Sequence, residues 1–140
     1  MQRKDYILKK QNNVFADLHT HSTASDGLLS PAQLVESAVE KGLSVIGITD
    51  HDTVTGLAEA RQAARRLSIR LVPGIELSCG WPGRDTSVHV LGLYIDENAP
   101  ALQKLLNEQR DQRFYRALKM VDLLAGLGLD VAELKQRFEQ

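Results

Sequence analysis

The 140-residue chain has little cysteine, few aromatic side chains and almost no net charge. Its one cysteine, Cys79, cannot form an internal disulfide, and no secretory signal precedes the first predicted strand, so we expect a cytoplasmic protein. No apolar run approaches the length that a membrane span needs. A net charge of -1 argues against an extended nucleic-acid-binding surface, so any nucleic-acid substrate should be short.

Histidine is also scarce, yet all four histidines lie within or shortly after strand-like runs. His19 and His21 follow the apolar run 14–16, which predicts a buried strand. Residues two apart on an extended backbone point the same way, so both imidazoles can reach one metal ion. A pair of ordinary loop histidines is the alternative. Other polar side chains occur in the same position after strand-like runs: Asp26, His51, Glu76 and His89.

The segments between these runs have the period and the end signals of helices. Ser30, Pro31 and Gln33 predict a capping box and a first-turn proline, and Gly42 ends that helix. A second helix is predicted from about Thr55 to Leu67. Strands that alternate with helices predict a parallel sheet whose crossovers bring every carboxyl strand end to one rim. The candidate ligands should therefore converge there, as working residues do in β/α barrels.

The types of these side chains indicate which metal ions and which reaction the site suits. Imidazoles and carboxylates without a thiolate pair suit zinc, manganese or iron, and a carboxylate such as Glu76 suits a bridge between ions. Clustered ions generate hydroxide from water at neutral pH and hold the oxygens of a phosphate. The residues thus predict phosphoester hydrolysis at this rim.

Ordered motifs between Phe15 and Leu93 resemble those of the polymerase and histidinol phosphatase (PHP) family. They are Asp17–Ser22, Ser25–Gly27, Ile48–Asp52, Gly74–Glu76 and His89–Gly92. Within that family the chain is most similar to the TrpH-like branch, which includes nucleoside 3′,5′-bisphosphate phosphatases and 5′-to-3′ exoribonucleases acting on short RNA. The resemblance implies an α/β fold: the amino-terminal part of a distorted (β/α)7 barrel, followed by the start of a helical insertion. It also implies two or three divalent ions at the rim, manganese in first place and zinc or iron as alternatives.

Carried over position by position, the resemblance implies which residues form the site. Glu76 bridges ions, and Glu76 and His51 are assigned as catalytic. Asp17 and Asp50 are interpreted as acceptors that orient imidazole rings, with capping or strand-end solvation as the alternative. The implied metal ligands are His19, His21, Asp26, His51, Glu76 and His89.

The family's later ligands have no counterpart in this chain. The family completes its site with a further histidine and a closing Asp-x-His motif, whereas residues 90–140 contain no histidine. We therefore expect the amino-terminal half of a PHP protein that binds metal but turns over poorly by itself. Its predicted parts are a polar extension (1–13), half of the barrel (14–97) and a helical segment (98–140). A half barrel exposes sheet edges, through which it could self-associate.

The chain after Glu76 is predicted to turn back on itself. Residues 78–85 are rich in turn formers, and the next strand returns His89 to the rim in a hairpin. Within the turn, Arg84 is the candidate for binding a substrate phosphate, against the alternative of a solvated arginine. From Asn98 onward the pattern is helical, as one long helix or as two.

Two functions stay open from the sequence. One is a metal-dependent phosphoesterase acting on nucleotides or short oligonucleotides, and the other is a non-catalytic PHP remnant that serves structure or partner binding. The four retained histidines favour the first. Amidohydrolases and TatD-like nucleases also begin with His-x-His after the first strand, but neither predicts Thr49–Asp52 together with Gly74–Glu76.

Overall fold

A computed structural model describes residues 15–81, 83 and 86–138. The described residues up to Ile95 form one compact unit, and those from Asp96 form a second. In chain order, the elements are β1 (Ala16–Thr20), α1 (Pro31–Glu40), β2 (Val45–Ile48), α2 (Leu57–Leu67), β3 (Arg70–Gly80), β4 (Ser87–Leu93), α3 (Pro100–Gly126) and α4 (Ala132–Phe138).

The strands of the first unit form one curled sheet in the order β1-β2-β3-β4. β1, β2 and β3 run parallel, and β4 returns antiparallel to β3. Because α1 and α2 connect parallel neighbours, the carboxyl ends of the first three strands share one edge. The predicted α/β fold is confirmed, and the hairpin that carries His89 forms as expected.

Helix α1 begins as its sequence predicts. The Ser30 side chain accepts a hydrogen bond from the backbone N–H of Gln33, and the Gln33 side chain accepts one from the backbone N–H of Ser30. Pro31 occupies the first helical turn, where its missing N–H costs nothing. The helix ends before Gly42, whose φ of 77° is readily adopted by glycine.

The apolar core of the first unit lies between the sheet and the two helices. Ile46 and Ile48 of β2 are almost fully buried against residues of α1 and α2. Helix α2 contributes mainly alanines, which bury a flat face while Arg65 and Arg66 occupy its last turn, where cations are favourable. The cluster comprises Val35, Ala38, Ile46, Ile48, Leu57, Ala60, Ala63, Ala64 and Ile69. This core fixes the strand ends that carry the candidate ligands.

Two strands differ from the sequence prediction. β1 begins at Ala16 and includes His19, and Phe15 is exposed rather than buried. β3 continues through Ser78 to Gly80, where the sequence predicts a turn. In both cases, backbone pairing with the neighbouring strand sets the extent of the strand: β1 pairs with β2, and the last residues of β3 pair with β4. Apolar content alone does not carry that information.

The second unit consists of α3 and α4. The polar run 107–113 does not interrupt α3, so the alternative of one continuous helix is correct. Leu106 and Val121 of α3 and Val131 before α4 are buried. The Lys135 Nζ of α4 lies 3.0 Å from the Asp122 Oδ1 of α3. Across the described ranges, no helix is both long enough and apolar enough to cross a membrane.

At Gly47, β2 lies so close to β1 that a larger residue should destabilise the fold. A Cβ on Gly47 would lie 2.7 Å from the Leu18 carbonyl oxygen and 2.9 Å from its Cα, both backbone atoms. Gly47→Ala should therefore lower the free energy of unfolding by about 1–3 kcal/mol, the usual cost of overpacking. Gly80→Ala is the matched control because a Cβ there meets nothing within 4 Å. Urea unfolding of both variants measures the difference, and equal stabilities would contradict the close approach.

Candidate metal centre

All four imidazoles of the chain point toward the carboxylate of Glu76. His19 Nε2 lies 2.7 Å and His21 Nε2 lies 3.0 Å from Oε2, while His89 Nδ1 lies 3.0 Å from Oε1. His51 Nε2 is 3.9 Å from Oε2. The Glu76 side chain is only 8% exposed, whereas His19 and His89 are about half exposed. The carboxylate is therefore the buried floor of a site that opens to solvent.

Asp26 lines the other side of this cluster. Its Oδ1 lies 3.4 Å from His21 Nδ1, and its Oδ2 lies 3.7 Å from His51 Nε2. The Asp26 side chain is 67% exposed, the highest value in the cluster. One carboxylate thus faces solvent and one is buried, with imidazoles between them.

These side chains could hold more than one divalent ion. They form three overlapping groups whose ligand atoms lie within 4.8 Å of one another: His19, His21 and Glu76; His21, Asp26 and His51; His51, Glu76 and His89. Two ligand atoms that each lie 2.0–2.1 Å from a tetrahedral ion are about 3.3 Å from one another. The distances between the imidazole nitrogens and carboxylate oxygens given above are close to this value. The Nδ1 of His21 is buried and forms no hydrogen bond with any described residue. A buried nitrogen left in that state fits a metal ligand better than a structural histidine.

The imidazoles also change the ionisation of Glu76. Burial alone would raise the pKa of its carboxyl group, but the hydrogen bond from His19 and the charges of His19 and His51 outweigh that effect and lower the pKa below its usual value. The carboxylate form therefore stabilises the fold at pH values above the ordinary glutamate pKa, and this stabilisation is lost as the pH falls through the lowered value. Glu76 stays ionised at neutral pH, as a metal ligand must.

The backbone explains how residues from separate strands meet. The register of β1 against β2 shifts between Asp17 and Thr20, and His19 lies within this irregularity. Such bulges redirect side chains. The chain after β2 then pairs with β3: the Glu76 N–H donates to the Asp50 carbonyl at 3.2 Å, and the Asp52 N–H donates to the Glu76 carbonyl at 3.0 Å. His51 and Glu76 therefore stand side by side.

Two predicted roles are corrected, and one residue lies outside the described part. Asp17 accepts a hydrogen bond from the backbone N–H of His19, and Asp50 accepts hydrogen bonds from Ser22 and Ser25. These donors are backbone N–H and hydroxyl groups, so the hydrogen bonds of the two carboxylates do not orient an imidazole ring. Arg84, predicted to bind a substrate phosphate, falls outside the described residues.

The sequence reasoning also missed residues that shape the site. Ser22 is fully buried and Ser25 is partly buried, both against Asp50. Asp52 accepts a hydrogen bond from the Ser78 N–H at 2.7 Å and has a φ of 49°. Short polar residues in a loop carry no periodic signal, so only their spatial partners distinguish them.

Comparison with known proteins agrees with this geometry. A family model described as the PHP domain matches residues 17–136. The chain belongs to the PHP domain family. The match includes all six candidate ligands, and it covers both units of the chain.

The curated relatives of this chain include an exoribonuclease and a nucleoside bisphosphate phosphatase. The chain is 43% identical over 113 residues to a 5′-3′ exoribonuclease of Haemophilus influenzae, a match covering 81% of this chain and 40% of the relative. It is 42% identical over 113 residues to a 3′,5′-nucleoside bisphosphate phosphatase of Chromobacterium violaceum, covering 81% and 39%. The chain thus spans about two fifths of the length of these relatives.

A solved structure supports the fold. It is described as an amidohydrolase from Chromobacterium violaceum with bound sulfate and no metal, and it superposes with a TM-score of 0.73 at 37% identity. The superposition covers 88% of this chain and 43% of that one. The fold of this chain is therefore shared with that protein.

Proposed function

We propose that this chain carries the metal-binding rim of a phosphoesterase that hydrolyses phosphate mono- or diesters of nucleotides or short oligonucleotides. The observation that carries the proposal is the convergence of four imidazoles on the Glu76 carboxylate, with the Asp26 carboxylate beside two of them. The names of the exoribonuclease and bisphosphate phosphatase relatives support the substrate class.

In this proposal, divalent ions are held by His19, His21, Asp26, His51, Glu76 and His89. When bound, such ions lower the pKa of water and neutralise phosphate oxygens. Two or three ions, with manganese ahead of zinc or iron, suit imidazole and carboxylate donors in overlapping groups.

The protein's own residues prepare the site for an anionic substrate. Glu76 presents Oε2 to His19 and His21 and Oε1 to His89, so its two oxygens face different groups, as a bridging carboxylate requires. His51 belongs to two of the groups, which supports its assignment with Glu76 as a catalytic residue. The exposed sides of His19 and Asp26 leave the outer face open to a phosphate. Arg84 stays a proposed partner for that phosphate.

Two alternatives compete with this proposal. A non-catalytic remnant would keep the sheet but would gain nothing from a buried carboxylate ringed by imidazoles. An amidohydrolase is suggested by the name of the solved structure from Chromobacterium violaceum. The nucleotide-directed names of the curated relatives favour phosphoester chemistry over amide chemistry. We further propose a cytoplasmic location. We also propose self-association through β4, which is the last strand in the order of the described sheet and where Val90 is 48% exposed.

Phosphate release tests the proposed function directly. The purified chain, incubated with Mn²⁺ and a nucleoside 3′,5′-bisphosphate, should release phosphate at a rate that a chelator abolishes, because the ligand groups need bound ions to act. An N-acyl amino acid serves as the amide substrate for comparison. Amide cleavage without phosphate release would favour the amidohydrolase. No turnover of either substrate, even after the part of the bisphosphate phosphatase relative that this chain does not match has been added, would favour the remnant.

A further inference from the structure

We propose that Asp50 is a positioning residue: through Ser22 and Ser25, it fixes the loop that presents Asp26 to the ions. The inference rests on the proposed metal site and assigns a role to a carboxylate that is not itself a candidate ligand. Asp50 is 1% exposed and lies directly before His51 in the chain.

Three hydrogen bonds join Asp50 to the loop after β1. Oδ1 accepts from the Ser22 N–H at 2.7 Å and from the Ser25 hydroxyl at 2.8 Å, and Oδ2 accepts from the Ser22 hydroxyl at 2.8 Å. Hydrogen bonds to a buried carboxylate are shorter and stronger than those between neutral groups. The carboxylate therefore holds both ends of the segment Ser22–Ser25.

Backbone hydrogen bonds set the turn around Asp26, while few contacts restrain its side chain. The Ser22 carbonyl accepts from the N–H groups of Ser25 and Gly27, which closes a turn around Asp26. The Ser25 hydroxyl lies between two carboxylates, 2.8 Å from Asp50 Oδ1 and 3.3 Å from Asp26 Oδ1. Since the Asp26 side chain is 67% exposed, packing restrains it weakly, and the Asp50 network supplies the restraint.

The Asp50 carboxylate lies close to Gly56. A Cβ on Gly56, the residue before α2, would lie 3.0 Å from Asp50 Oδ2 and 3.1 Å from a Pro31 side-chain atom. The carboxylate thus lies beside the amino-terminal end of α2, where negative charge is favoured. Asp50 therefore lies between this helix end and the Asp26 loop, to which it is hydrogen-bonded.

Titration with Mn²⁺, following the free ion by electron paramagnetic resonance, tests this role without measuring hydrolysis. Asp50→Ala should lower the Mn²⁺ affinity of the group formed by His21, Asp26 and His51 about 10- to 100-fold. This is the usual cost of removing a partner that orients a ligand. Asp50→Asn should bind close to wild type, because its amide can donate to the Ser22 hydroxyl while its oxygen accepts the other two bonds. Ser25→Ala should lower the same Mn²⁺ affinity by a smaller factor. This variant provides the test if Asp50→Ala fails to fold.

A double-mutant cycle separates positioning from general stability. In an Asp26→Ala background, Asp50→Ala should cause no further loss of Mn²⁺ affinity, because both changes remove the same ligand contact. Unchanged Mn²⁺ affinity in both Asp50→Ala and Ser25→Ala, or additive losses in the cycle, would overturn the inference. A wild-type chain that binds Mn²⁺ through this network but releases no phosphate, even after the unmatched part of the relative has been added, would instead overturn the proposed function alone.

Discussion

Replacing Glu76 by glutamine is expected to abolish most of the thermal stabilisation that Mn²⁺ or Zn²⁺ gives to this chain. An ion that binds only the folded form stabilises it by about 2.7 kcal/mol at a free concentration a hundred times its Kd. For a domain of this size, that corresponds to a rise in Tm on the order of 10 °C. Glu76 belongs to two of the three ligand groups, so its loss should affect more than one ion.

The comparison requires matched variants, because each substitution also changes the metal-free protein. The measured quantity is the difference in Tm with and without ion, by differential scanning fluorimetry. His19→Ala should lose part of the shift, since His19 belongs to one group. Glu40→Gln removes an exposed carboxylate at the end of α1 and should keep the full shift. An undiminished shift in Glu76→Gln would exclude this carboxylate as a ligand.

The second large effect concerns the rate of hydrolysis. We expect the 140-residue chain to hydrolyse a nucleoside 3′,5′-bisphosphate orders of magnitude more slowly than the Chromobacterium violaceum relative, of which it spans 39%. The resemblance to the PHP family implies further ligands, and residues 90–140 contain no histidine to supply them. Loss of one Lewis acid removes several kcal/mol of transition-state stabilisation, and each 1.36 kcal/mol is about tenfold in rate.

Steady-state phosphate release by both proteins at equal Mn²⁺ concentration gives the ratio of rates. Adding the part of the relative that this chain does not match, as a separate polypeptide, should raise the rate if it supplies the further ligands. A rate equal to that of the intact relative would mean that the six candidate ligands of this chain suffice, and that the expected further ligands play no part in turnover.

Much of the fold follows from local signals in the sequence. The Ser30, Pro31 and Gln33 pattern fixes the start of α1, because each residue satisfies or removes an N–H group that the first turn leaves open. The short apolar run of β2 and the alanine face of α2 identify a buried strand and its covering helix. The six candidate ligands could likewise be nominated from residue type and from their position near strand ends.

Pairing and close contact are not encoded locally, and there the sequence predictions fail. The sequence does not show that β3 continues past Glu76 to Gly80, because hydrogen bonds to β4 extend it. It does not show whether residues 107–113 interrupt α3, since a polar run is compatible with a helix and with a loop. The roles of Asp50 and Asp52 depend on partners 25 to 28 residues away.

The sequence by itself determined the family, the alternation of strands and helices, and which side chains have the chemistry of metal ligands. Only the tertiary structure decided that His19, His21, His51 and His89 meet at one carboxylate, and that Asp50 holds the Asp26 loop. Residue type and periodicity are properties of short segments, whereas a separation of about 3 Å between side chains depends on strand register, bulges and packing across the whole sheet.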